Sequence, residues 1–211
     1  MRFGQSGLLV MLAAMLSAGL SVPVAAAQEE QAEAAEAKAV VLEEKVADQP
    51  EPVPAAPADE ITPAEAEAVD PAGSKPLDDP LTCLARTIYW EAKGEGEAGM
   101  TAVAAVVMNR LADPAFPKTV CAVVTDGREN ATCQFSWWCD GRPDDVEEPE
   151  PYAQAVEIAR RALNQQIDDP TDGAVNFHLD TVHPDWADEF VRTATIGAHL
   201  FYRAPEVTAT K

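Results

Sequence analysis

The chain has 211 residues, with 36 acids against 15 lysines and arginines, and a formal net charge of −21. Phosphate recognition rests on clusters of Lys and Arg, which so acidic a chain lacks, so nucleic acid is excluded as an expected ligand. The four cysteines contain no Cys-x-x-Cys pair, which argues against a zinc finger or a thioredoxin-like redox site.

Arg2, an apolar stretch from Leu8 to Leu20 and then Ala25-Ala26-Ala27 follow the charged, hydrophobic and small-residue order of a secretory signal. Residues 1–27 are therefore expected to be removed after Ala27, the alternative being an uncleaved anchor. No later run approaches the roughly 20 apolar residues of a membrane helix, so an exported, soluble mature protein is expected.

Residues 28–80 are almost all Ala, Glu, Pro, Asp and Val, without an aromatic residue or a cysteine. They hold 15 acids and 3 lysines, and so 12 of the 21 net negative charges. Little apolar surface is available there to offset an ordering cost of about 1–2 kcal/mol per residue, which predicts a disordered acidic tether, with a short helix from Gln31 to Val46 as an option.

All cysteines, tryptophans and histidines fall in 81–204, the size of one compact domain, leaving 205–211 as a tail. Leu81, Leu84, Ala85, Ile88 and Ala92 recur at helical spacing, giving an amphipathic helix from Leu81 to Lys93 that Gly94 ends. Glu91 lies beside Leu84 on the edge of the apolar stripe. Trp90 faces the other way, as a packing contact or as part of a sugar-binding wall.

Ala98 to Leu111 is apolar on nearly every face, as in a helix buried at the centre of a domain, with Glu97 in its first turn. Asp113-Pro114 and Phe116-Pro117 mark a turn, and Thr125 to Ala131 a loop. Tyr152 to Gln166 reads as a third helix. Val175, Phe177 and Leu179 alternate with Asn176, His178 and Asp180 as a short strand. Phe190 to Thr195 and His199 to Arg203 flank Ile196-Gly197 as a hairpin. The expected fold class is α+β, mainly helical, with a short antiparallel sheet.

An even cysteine count in an exported chain predicts two disulfides. Three pairings are open; the favoured one joins Cys133 to Cys139, closing a small loop, and Cys83 to Cys121, pinning the first helix to the middle of the domain.

Partial burial raises a carboxyl pKa, and a raised pKa is what a general acid needs near neutral pH, so Glu91 is the first catalytic candidate. The plain alternative is an ordinary helix-edge carboxylate. Glu95, one turn on, is a second candidate, although two acids on one side of a helix cannot bracket a glycosidic bond by themselves. The Gln134 to Trp138 segment joins amide, hydroxyl and aromatic groups on one loop, which suits N-acetylated sugars, or else Phe135 and one tryptophan are core. His178, His183 and His199 do not have zinc-site spacing, and no metal or cofactor is expected. Ser136 lacks the Gly-x-Ser-x-Gly surroundings of a nucleophile.

Several blocks in one order carry a resemblance: Leu84-Ala85-Arg86 through Glu91-Ala92-Lys93-Gly94-Glu95, Ala102 to Arg110, Phe116-Pro117, Gln134-Phe135-Ser136, and Ile196 to Tyr202. From about Cys83 to Arg203 the chain resembles the cell wall hydrolases related to the spore-cortex-lytic enzyme SleB. The resemblance implies a lysozyme-like or lytic-transglycosylase-like domain acting on peptidoglycan glycan strands. Glu91 is then the catalytic acid, and one carboxyl can suffice because the muramic acid 6-hydroxyl, rather than water, closes a 1,6-anhydro ring.

It also implies that Gln134, Phe135, Ser136, Asn176, His178 and Trp186 bind substrate. Two alternatives stand beside this reading: a metal-dependent N-acetylmuramoyl-L-alanine amidase, and a wall-binding module without catalysis. The chain departs from the spore enzyme in its four cysteines, its acidic segment and the lack of a recognisable peptidoglycan-binding repeat, which suits wall remodelling by a monomer in a periplasm better than germination.

Overall fold

The computed structural model describes residues 24–49, 52–128 and 133–205. The expected secretion signal therefore lies outside the described residues up to residue 23, as does the tail from 206. Among the described residues six α-helices, α1 (Val24–Asp48), α2 (Pro63–Val69), α3 (Pro80–Ala92), α4 (Gly96–Ala112), α5 (Val120–Val124) and α6 (Pro149–Leu163), precede three strands, β1 (Asn176–Leu179), β2 (Val191–Ile196) and β3 (His199–Arg203). The sheet is antiparallel in the order β1-β3-β2, so the α+β, mainly helical expectation holds. Among the described residues no helix is long and apolar enough to cross a membrane.

The largest correction concerns 28–80, which is not a tether without a core. Ala32, Ala35, Ala39, Leu42 and Val46 form a stripe along α1, each at most 8% exposed. They share one cluster with Ile61 and Val69 and with Leu84, Ile88 and Leu163 of the domain. Composition misleads here because alanine counts for little apolar area, yet it is the best helix former and its small side chain lets helices approach closely. Thr62 and Glu65 then form a reciprocal capping box at the start of α2. Lys38 reaches from α1 to Glu65, 2.8 Å away.

Asp79 caps α3 by accepting the Thr82 amide at 2.8 Å, and Pro80 occupies a first-turn position where no amide hydrogen is needed. Expected as a half-buried amphipathic helix, α3 is instead buried from Pro80 to Tyr89, because α1, α4, α5 and α6 pack around it. The buried helix expected at Ala98 to Leu111 is α4, begun two residues earlier by Gly96 at φ +66°. α6 starts three residues before the expected Tyr152, again with proline in its first turn, and ends at Leu163. α5, capped by Thr119, was not anticipated; at five residues it is too short to show a period. Part of the expected 125–131 loop lies outside the described residues.

Both favoured disulfides are present, Cys83–Cys121 tying α3 to α5 and Cys133–Cys139 closing a ring of seven residues. In the sheet, Leu179 pairs with His199 and His178 with Leu200. The β2–β3 hairpin turns at Gly197, where φ is +56°.

Candidate active site

A cleft of about 470 Å³ opens where the C-terminal end of α3 meets β1, the start of β3 and the disulfide ring. Its lining includes Trp90, Glu91, Glu95, Arg110, Gln134, Ser136, His178 and His199. Glu91 is half-buried, and its carboxyl has no hydrogen-bond partner among the described residues. Burial pushes its pKa up to about 7, with the positive charge of Arg110 acting in the opposite direction. About half of this carboxyl is therefore protonated at neutral pH, and no side chain among the described residues accepts its proton in a hydrogen bond.

Arg110 is 3% exposed and is fixed by its Nε–H to the Val175 carbonyl at 2.6 Å and by an Nη2–H to Asn176 Oδ1 at 3.2 Å. Its guanidinium lies 5.0 Å from the centre of the Phe135 ring. Burial lowers its pKa to about 10, so it stays cationic, and its Nη1 is buried without a hydrogen-bond partner among the described residues. Nothing in the sequence reading gave Arg110 a part. The available signal was a lone arginine closing an otherwise apolar, centrally buried helix.

Glu95, the second candidate, has a different task. Its Oε2 accepts the Ala198 amide at 3.0 Å, fastening the end of α3 to the β2–β3 turn. The turn favours glycine because φ at residue 197 is +56°, and a Cβ there would also displace the Glu95 carboxylate, whose Oε2 would lie 1.8 Å away. Glu97 keeps its place in the first turn of α4 and pairs with Arg161 at 3.2 Å.

The expected substrate-binding residues divide into two groups. Gln134, Ser136 and His178 line the cleft. Phe135 does not: along the disulfide ring Gln134 and Ser136 are exposed while Phe135 and Trp137 are buried, so polar groups point out and aromatic groups into the core. Asn176 is turned towards Arg110, and Trp186 stands behind His178, with ring centres 5.5 Å apart. These three support the cleft rather than line it.

His178 Nδ1 lies 2.8 Å from the Leu179 carbonyl and must carry the proton, so Nε2 accepts from the Tyr202 hydroxyl at 3.0 Å. His199 is buried, and burial lowers its pKa, favouring the neutral ring. His183 packs edge-on against His178, with ring centres 6.4 Å apart, and its Nε2 lies 3.2 Å from Asp188. Among the described residues no three His, Cys, Asp or Glu side chains converge as a metal-binding group.

Trp90 borders the cleft with its indole Nε1–H donated to the Asp144 carbonyl at 3.2 Å. Lys93 lies over the Tyr89 and Trp90 rings and pairs with Glu148 at 2.7 Å. Leu179 and Val182, both exposed, complete an apolar rim.

A family model described as cell wall hydrolase matches residues 94–202. Spore cortex-lytic enzymes of Halalkalibacterium halodurans and Bacillus subtilis are 34% and 33% identical over 127 and 124 residues, 59% and 57% of this chain. The chain spans about a third of the length of these relatives, 34% and 36%. The crystal structure of the catalytic domain of the Bacillus cereus SleB protein superposes with a TM-score of 0.47 at 29% identity, covering 59% of this chain and 89% of that one. The family match begins at Gly94, three residues after Glu91.

Proposed function

The chain belongs to the cell wall hydrolase family, and from that premise we propose that it is an exported enzyme that cleaves peptidoglycan glycan strands, with Glu91 as the single acid and base. The observation that carries this reading is a half-buried carboxyl in the cleft, unpartnered among the described residues and raised to about 7.

Among the described residues two carboxylates line the cleft, and the second, Glu95, is committed to the Ala198 amide. A mechanism that asks for one acid therefore fits better than one that asks for a pair across the sugar. Glu91 gives its proton to the glycosidic oxygen between N-acetylmuramic acid and N-acetylglucosamine, and the bond from that oxygen to the muramic acid C1 breaks. The Glu91 carboxylate next takes the proton of the muramic acid 6-hydroxyl, whose oxygen forms the new bond to C1 and closes the 1,6-anhydro ring. The proton returns to Glu91, and no water is consumed.

Arg110 has its place in the middle of this cycle. A buried cation beside Glu91 stabilises the carboxylate that exists between the two proton transfers, and it keeps the pKa from rising further. Gln134, Ser136 and His178 offer hydrogen bonds to acetamido and hydroxyl groups, and Trp90, Leu179 and Val182 an apolar wall for sugar faces.

Digestion of purified sacculi followed by mass spectrometry tests the proposal. Anhydro-muropeptides are the expected product; reducing muramic acid ends would make the enzyme a muramidase instead, and freed stem peptides an amidase. Undiminished cleavage by Glu91→Gln would remove Glu91 from the mechanism.

A further inference from the structure

Asp70 lies ahead of the residues that match the family model, yet it sits at the head of a chain of contacts ending on the wall of the cleft. It is 5% exposed and makes four hydrogen bonds. Oδ1 accepts the Ser74 and Lys75 amides at 2.9 and 3.1 Å. Oδ2 accepts the Tyr152 hydroxyl at 2.8 Å and faces Arg86 Nη1 at 3.4 Å.

Arg86, itself 2% exposed, turns its Nη2 to the Asp144 carbonyl. That same carbonyl accepts the Trp90 indole N–H. Tyr152 extends the frame, packing edge-on against Tyr89, whose hydroxyl accepts the Glu147 and Glu148 amides at 3.1 Å each.

The backbone from Asp144 to Glu148 is thus gripped at three points, and Trp90 is seated against it. We infer that Asp70 is a positioning residue for the Trp90 wall of the Glu91 cleft, acting through Arg86 and the Asp144 carbonyl, so that the segment ahead of the matched family region completes the glycan-binding surface. The inference rests on the proposed reading of the cleft as a glycan site. Its physical basis is that a buried guanidinium has its position fixed by its carboxylate. Without Asp70, Arg86 loses its buried counter-charge, keeps only the more exposed Asp144 carboxylate nearby, and is no longer held in its aim at the Asp144 carbonyl. The indole then loses its fixed acceptor and samples more than one orientation, which weakens binding of a sugar face while leaving the proton chemistry at Glu91 intact.

The test uses the full chain and soluble strands of alternating N-acetylglucosamine and N-acetylmuramic acid. Asp70→Asn is expected to raise KM about tenfold, a loss of the size of one charge-assisted hydrogen bond, with kcat and the pH at which activity declines nearly unchanged. Trp90→Phe removes the indole N–H from the other end of the same path, and the double variant is expected to be no weaker than the weaker single one. Equal losses in kcat and KM, or losses that multiply in the double variant, would overturn the inference. Should Asp70→Asn not fold, Tyr152→Phe, which removes one donor to Asp70, is read against Trp90→Phe in the same cycle.

Binding of the same strands to Glu91→Gln, with and without Asp70→Asn, separates this inference from the reading beneath it. If Glu91→Gln binds no glycan, the cleft is not a glycan site and both fall. If it binds and Asp70→Asn leaves the affinity as it was, only the role of Asp70 falls.

Discussion

Two acids lie on opposite sides of α3 and have opposite surroundings. Asp70 is buried, faces Arg86 and accepts four hydrogen bonds. Glu91 is half-buried beside Arg110, which is tied instead to Val175 and Asn176, and its carboxyl has no partner among the described residues. A carboxylate saturated with donors is locked in one place and holds structure. One left unsatisfied in a cleft keeps its proton near neutral pH and has somewhere to send it. On the proposed role of Glu91, the protein separates stability from chemistry by where it places hydrogen-bond donors rather than by which acid it uses.

The contrast breaks most visibly in activity. Glu91→Gln is expected to lower the cleavage of sacculi by at least about a thousandfold, since the general acid and the base are lost together, while its urea unfolding midpoint is retained or raised. Asp70→Ala reverses the pattern: it removes the buried counter-charge of Arg86, leaving only the more exposed Asp144 carboxylate, and is expected to cost about 3 kcal/mol in urea unfolding. An Asp70→Ala protein as stable as the parent would show that the Arg86 pair does not hold this face.

A smaller effect separates the two sites by pH. Glu91 binds its proton more tightly in the folded protein than the ordinary 4.5, up to about 7. Between those values the unfolded chain has released a proton that the folded chain keeps, so the Glu91 contribution to stability is full below about 4.5 and is lost as pH rises towards 7. Glu91→Gln, which does not titrate, should match the parent near pH 4 and exceed it by about 2 kcal/mol above pH 7. Equal stability of the two proteins at both pH values would contradict the burial of Glu91.

The smallest expected effect sharpens the role of Arg110. Its charge lowers the Glu91 pKa, so Arg110→Met should move the alkaline decline in kcat/KM to higher pH, by less than about one unit, while the maximum rate falls. A decline at unchanged pH would mean that the two charges are not coupled.

Much of this arrangement was legible in the sequence because its signals are local. Glycines after Lys93 and at 197, helical spacing from Leu81 to Ala92, alternation from Val175 to Asp180 and the order of the motif blocks fixed the helix, the strand, the hairpin and the choice of Glu91. Three features had no local signature. The stripe of Ala35, Ala39 and Leu42 becomes a core only when the faces of α3 and α4 cover it, so composition alone made it a tether. Phe135, Asn176 and Trp186 carry side chains suited to sugar binding, and only packing turned them behind the cleft.

Arg86, Arg110 and Asp70 each pass as ordinary charged residues until Asp70, Val175 and Tyr152, between 16 and 82 positions from the residue each one bonds, are brought to them. Which backbone stretches are regular, and which acid stands at the edge of an apolar face, follow from neighbours a few residues apart and so can be read along the chain. Which charges are satisfied and which stay without a partner depends on donors and acceptors that meet only across the fold.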